Sequence, residues 1–134
     1  MAVKSLNYIS ESLYVIKIAG KGRGVYTRAA LEKNTLIEVA PVIVMSGKER
    51  ILLDQTLLHD YIFEWGETRQ QCCMALGYIA LYNHSYQANC EYEMNFRKQT
   101  ILIRTVRNVK AGEELSINYN GSWDNDKKVW FEAT

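Results

Sequence analysis

Apolar side chains in the first part of the chain follow the two-residue period of half-buried strands. LYVIKI (13–18) alternates, GVYT (24–27) is rich in β-formers, and TLIEVAPVIVM (35–45) is a long β-branched run. Turn signals part them: a glycine-rich loop, and Glu32-Lys33-Asn34. The period changes at Ser46. There SGKERILLDQTLL (46–58) fits a short amphipathic helix through Ile51, Leu52, Leu57 and Leu58, with Ser46 as cap and Glu49 at the capping-box position. QQCCMALGYIALY (70–82) is apolar nearly all round and predicts a second, buried helix. EYEMNF (91–96), TILIRTV (100–106) and ELSIN (114–118) return to strands. Asn95 to Thr100 reads as a hairpin connection, and Lys110-Ala111-Gly112 as another turn. The pattern predicts a mainly β chain with short helices.

Composition narrows the classes. The chain has 134 residues, Pro41 as its only proline, and no repeat, linker or low-complexity stretch, which predicts a single domain. Apolar residues make up 48% and charged residues 23%, the balance of an ordinary globular chain. A net charge of +1 gives no electrostatic case for direct nucleic-acid or membrane-surface binding. No run approaches the length of a membrane span, and the N-terminus carries no signal-type apolar core, so a cytoplasmic location is expected. The odd count of cysteines (Cys72, Cys73 and Cys90) argues for reduced thiols. Adjacent cysteines are poor joint ligands for one tetrahedral ion, and no metal site is expected.

Three stretches carry candidate chemistry. The first, AGKGRGVYT (19–27), spaces its glycines as Gly20-x-Gly22-x-Gly24 and runs straight into a strand. A dinucleotide fingerprint needs a helix there, and a phosphate-binding loop needs a Gly-Lys-Ser/Thr ending, so both fail. What remains is a plain hairpin turn or a different ligand. The second, YNHSYQANCEY (82–92), puts Asn83, His84 and Ser85 at the exit of the predicted buried helix, with Asn89 beyond. They are either a satisfied cap or the wall of a pocket. The third, KAGEELSINYNGSW (110–123), is a turn, a strand and then Tyr119 and Trp123. Alone it reads as a surface hairpin with core aromatics.

Taken in order, GKGRGV, NHS with a later Asn, and GEELSINY resemble the SET-domain protein-lysine methyltransferases. The likeness runs from about Tyr14 to Trp123, with a short tail over 124–134. DYIFEW (60–65) and MALGYIALYNHS (74–85) are similar to the minimal viral and bacterial members. The resemblance implies several small β-sheets around a knot-like core, and a site for S-adenosylmethionine. Lys21, Gly22 and Arg23 would contact that cofactor mainly through backbone, where glycine permits close approach. Asn83 would bond its amino-acid portion and the backbone of His84 its adenine. Tyr119 would set its hydroxyl beside the transferring methyl, and Tyr61 would line the substrate channel with it. The sequence departs from the family pattern at Ala88, where proline is common, and at Asn118, where aspartate is. It also lacks the cysteine cluster that follows many SET domains, and Trp123 is the aromatic expected to cover the adenine instead.

The implied reaction is an in-line methyl transfer to a neutral lysine amine, made neutral by an apolar channel beside a cationic sulfur. Tyr119 would accept weak C–H···O contacts from the polarised methyl and orient the amine. The substrate is then a protein or peptide carrying a lysine, either a histone-like tail, in a host nucleus if the source is a virus or pathogen, or another basic protein. Asp60, Glu64 and Glu67 are either its acidic border or solvated surface charge. A SET-fold interaction module that binds the cofactor without turnover is the alternative. A homodimer is expected, pairing through the apolar VIVM face at 42–45.

Overall fold

The computed structural model describes residues 6–20 and 22–119. Its strands are β1 (Tyr8–Ile9), β2 (Leu13–Ile18), β3 (Gly22–Thr27), β4 (Leu36–Met45), β5 (Phe63–Trp65), β6 (Gln71–Ala75), β7 (Asn83–His84), β8 (Cys90–Asn95), β9 (Thr100–Thr105) and β10 (Glu114–Ile117). Helix α1 (Gly47–Leu53) and two single 3-10 turns, Leu57–Asp60 and Ile79–Leu81, complete the described elements.

Two sheets organise the chain. The larger runs β5-β6-β4-β9-β8, with β1 also pairing β4; the smaller runs β2-β3-β10-β7. Among the described residues every strand pairing is antiparallel except the parallel pair of β10 with β7. The core lies between the sheets, built from Val25 of β3, Ile37 of β4, Ile101 and Ile103 of β9, Leu115 and Ile117 of β10, and Ile79 and Tyr82 from the second 3-10 turn. These are the inward positions of the predicted strands, as period-two patterning requires. The β8–β9 hairpin closes where the sequence placed it, with Asn95 opposite Thr100 and Gln99 at a positive φ of 53°. Gly112 likewise turns the chain at φ 85°.

Two expectations need correction. Residues 70–82 form no helix: Gln71–Ala75 is strand β6 between β4 and β5, and only Ile79–Leu81 winds, as one 3-10 turn. The run is apolar all round because β6 is covered on both faces, a pattern that a short buried strand shares with a buried helix. Gly77, at φ 65°, breaks it in two. The predicted 46–58 helix is also shorter. Ser46 caps α1 through the expected capping box with Glu49, but α1 stops at Leu53 and Thr56 caps the next 3-10 turn. Its apolar residues face outward rather than into the core: Ile51 is 63%, Leu52 67% and Leu57 77% exposed. Of the VIVM face, Ile43 is exposed while Val42 is buried and Val44 and Met45 are half-buried.

Candidate functional site

β10 positions everything at the site. It lies between β3, where Glu114 pairs Tyr26 and Leu115 pairs Val25, and β7, where Ser116 pairs Asn83 and Ile117 pairs His84. Inserting one strand thereby gathers the glycine-rich strand, the Asn-His segment and Tyr119. Asn83 and His84 are themselves strand β7, not a helix end, which corrects the sequence reading.

The Asn83 amide is fully committed on its donor side. Its Nδ2 donates to the Arg23 carbonyl at 2.9 Å and to Glu114 Oε2 at 2.7 Å. The side chain therefore offers a ligand its acceptor, Oδ1. Gly24 permits this: a Cβ there would stand 2.5 Å from Glu114 Oε2 and 3.1 Å from Asn83 Nδ2. Gly22 is needed for its backbone instead, held at φ 89° with open space where a side chain would point. Asn89 is structural. Its buried amide donates to the Glu114 carbonyl at 2.8 Å and accepts from the Ser116 N–H at 2.8 Å, tying the loop after β7 onto β10. Asn118, also buried, directly precedes Tyr119.

Tyr119 is held at several points. Its N–H donates to His84 Nδ1 at 3.0 Å and the two rings lie 5.1 Å apart. Its hydroxyl donates to the Tyr82 carbonyl at 2.8 Å. Burial first, then the neighbouring Tyr61, Asp60 and Glu114, together push the phenol up to about 12, against the opposing pull of the backbone bond to His84. At neutral pH Tyr119 is thus a protonated phenol, with its one hydrogen given to Tyr82. Tyr61, half-buried at the end of the first 3-10 turn, stands on the Tyr119 side with Asp60. Glu64 is instead drawn to Arg50 of α1, at 3.2 Å, and Glu67 is exposed.

The structure brings together Gly22, Arg23, Asn83, His84 and Tyr119, with Tyr61 alongside. Lys21 and Trp123 lie outside the described residues. Sequence reading passed over Glu114, which opens β10 inside the GEELSINY run. It also passed over Glu38, the lone carboxylate in the 35–45 run. Among the described residues no group of His, Cys, Asp and Glu could hold a metal, and Cys72, Cys73 and Cys90 are buried and unbridged. Burial holds the Cys73 and Cys90 thiols up at about 12, which makes them inert. No described helix is long and apolar enough to cross a membrane.

Comparison with known proteins agrees with this geometry. The family model for the SET domain matches residues 22–120. A Schizosaccharomyces pombe histone-lysine N-methyltransferase, H3 lysine-37 specific, is 33% identical over 113 residues, covering 84% of this chain and 71% of that protein. The Halocynthia roretzi histone-lysine N-methyltransferase SETD7 is 26% identical over 138 residues, 91% of this chain and 35% of that longer protein. A crystal structure of a Plasmodium falciparum protein, described as a candidate histone methyltransferase, superposes with a TM-score of 0.61. Its identity is 25%, over 87% of this chain and 100% of that one.

Proposed function

The chain belongs to the SET-domain family, and from that premise we propose that it is an S-adenosylmethionine-dependent methyltransferase acting on lysine side chains of a protein. The observation that carries the reading is the Tyr119 hydroxyl, whose hydrogen is committed to the Tyr82 carbonyl beside β3 and β7. With its hydrogen given to Tyr82, the hydroxyl presents its oxygen to the reacting centre as an acceptor rather than a donor. A catalyst that takes no proton but orients an amine needs such an oxygen.

The residues present fit the cofactor. Asn83 Oδ1 and the adjacent Glu114 carboxylate suit the ammonium of an amino-acid ligand, and the open Gly22 backbone leaves room for close main-chain contact. The oxygens of Tyr119 and the Tyr82 carbonyl suit a cationic sulfur. Lys21, Gly22 and Arg23 would hold the cofactor through backbone, the His84 backbone its adenine, and Trp123 would cover that ring. When bound, the cofactor supplies an electrophilic methyl group on positive sulfur. Asp60, at the Tyr119 side, favours arrival of a basic side chain, and the aromatic wall of Tyr61 and Tyr119 then disfavours the charged amine.

The substrate class follows as a basic, lysine-bearing protein such as a histone-like tail, with no direct nucleic-acid or membrane partner. The outward apolar residues Ile43, Ile51, Leu52 and Leu57 support a homodimer, and a cytoplasmic location completes the reading. The experiment is methyl transfer from labelled S-adenosylmethionine onto a histone mixture and a whole lysate, read by mass spectrometry, beside thermal shifts. Methylated lysines and stabilisation by the cofactor, but not by ATP or NAD, are expected. Cofactor binding with no methylated product would favour the interaction module, and stabilisation by ATP alone would end the reading.

A further inference from the structure

β4 carries a buried feature that the site above does not use. Glu38 is fully buried, and among the described residues no cation stands within ion-pair distance of it. Its two oxygens are met by two donors from one short turn: the Tyr78 N–H at 2.7 Å on Oε2, and the Tyr82 hydroxyl at 2.9 Å on Oε1. The arrangement is built from three sides. A register shift between Leu36 and Glu38 re-aims the strand, as bulges do, so that Ile37 and Glu38 are both buried. Gly77 has no side chain where a Cβ would collide with Glu38 Oε2, and it adopts φ 65°, which disfavours other residues. Tyr82, 1% exposed, places a hydroxyl in the core where this carboxyl group accepts it. An apolar residue at position 38 would fill the core without the desolvation cost of a carboxyl group. Stability alone is a weak reason for this cluster.

Geometry supplies another. The turn that Glu38 grips at both ends, Tyr78 and Tyr82, ends in the Tyr82 carbonyl that receives the Tyr119 hydroxyl, and runs directly into Asn83 and His84. We propose that Glu38 is a positioning residue for methyl transfer: by clamping the 78–82 turn it fixes the Tyr82 carbonyl, and through it the direction of the Tyr119 hydroxyl. The proposal rests on the methyltransferase reading. Glu38 touches neither substrate nor cofactor and acts through Tyr82.

A double-mutant cycle tests it. Tyr82→Phe removes the hydroxyl that Glu38 holds and keeps the backbone carbonyl; it is combined with Tyr119→Phe. Tyr82→Phe alone should lower kcat about tenfold, with KM and cofactor affinity within about threefold, and should cost less than about twofold in the Tyr119→Phe background. An equal loss in both backgrounds, or an unchanged kcat, overturns the proposal, because a merely structural role is indifferent to the Tyr119 hydroxyl. If Tyr82→Phe does not fold, Glu38→Gln, which keeps the volume and one acceptor, takes its place with the same expectations. In parallel, NMR of 13C-labelled tyrosine follows the Tyr119 ring without turnover. Its Cζ resonance should move in either variant, and an unmoved resonance overturns the proposal even where no methyl is transferred. A wild-type protein that transfers no methyl while this resonance moves refutes the function and leaves the positioning intact.

Discussion

The smaller sheet and the 46–66 segment are held by different kinds of bond. Around β10 the polar groups are tied over long stretches of chain: Asn83 to Arg23 across 60 positions, Tyr119 to Tyr82 across 37, and Asn89 to Ser116 across 27. From Ser46 to Gly66 the ties are mostly local. Ser46 and Glu49 cap α1, Thr56 caps the next turn, and Asp54 meets His59 five positions on. One half-buried residue, Arg50, staples α1 outward, to Glu64 at 3.2 Å and to the Arg69 carbonyl at 2.6 Å. Long-range bonds open only with the whole fold, whereas local ones open alone. The half that would hold the cofactor is therefore rigid by construction, and the half bearing Asp60 and Tyr61 sits at the low-stability end.

Four changes probe that contrast. The largest effect is expected from Tyr119→Phe, which keeps the ring and loses one oxygen. Its kcat should fall roughly a hundredfold or more, while melting temperature and cofactor affinity change little; wild-type turnover in a stable variant would remove Tyr119 from the chemistry. Next is Glu38, which binds the larger sheet to the turn before the site. Burial raises its carboxyl to about 7, against the pull of its bonds from Tyr78 and Tyr82. The folded state thus holds this proton more tightly than the unfolded chain does. The contribution is complete below the unfolded value of 4.5 and is lost as pH rises through 7, at most about 3 kcal/mol. Urea unfolding from pH 4 to 8 should show that slope in the wild type and a flatter one in Glu38→Gln; parallel slopes would refute it.

Gly24→Ala tests the rigid half more gently. Its methyl must displace Glu114 or Asn83, so cofactor affinity measured by calorimetry should fall about tenfold with kcat at saturation within about threefold. Unchanged affinity would detach the Asn83–Glu114 pair from the cofactor. The smallest effect is Arg50→Ala, worth under about 1 kcal/mol as befits an exposed ion pair. Hydrogen exchange should quicken over 46–70 and stay unchanged in β3, β7 and β10. Quickening in both regions would erase the contrast.

What the sequence revealed divides along the same line. A strand covered on one face, such as β10, announces itself by alternation, the β8–β9 hairpin by its turn residues, and the capping box by its local spacing. β6 does not, because burial on both faces erases the period. The outward aim of Ile51, Leu52 and Leu57 was equally hidden, since periodicity locates an apolar face without saying what covers it. At the site, the motif residues Gly22, Asn83 and Tyr119 were legible. Glu114 and Glu38 were not, because their partners lie 31 and 44 positions away and only the fold brings them together.

The parallel pair of β7 with β10 has a consequence in time. Parallel strands cannot meet through a tight turn, and here the chain between them forms the β8–β9 hairpin. Such non-local pairing is slow, because loop closure precedes any gain from contact. On a ribosome the Asn83–Ser116 register stays open until residue 117 has emerged, so a nascent chain lacks the ligand-gathering strand until almost all of residues 22–120 exist. Stalled chains ending before Glu114 should accordingly carry the finished β8–β9 hairpin with no capacity to retain cofactor.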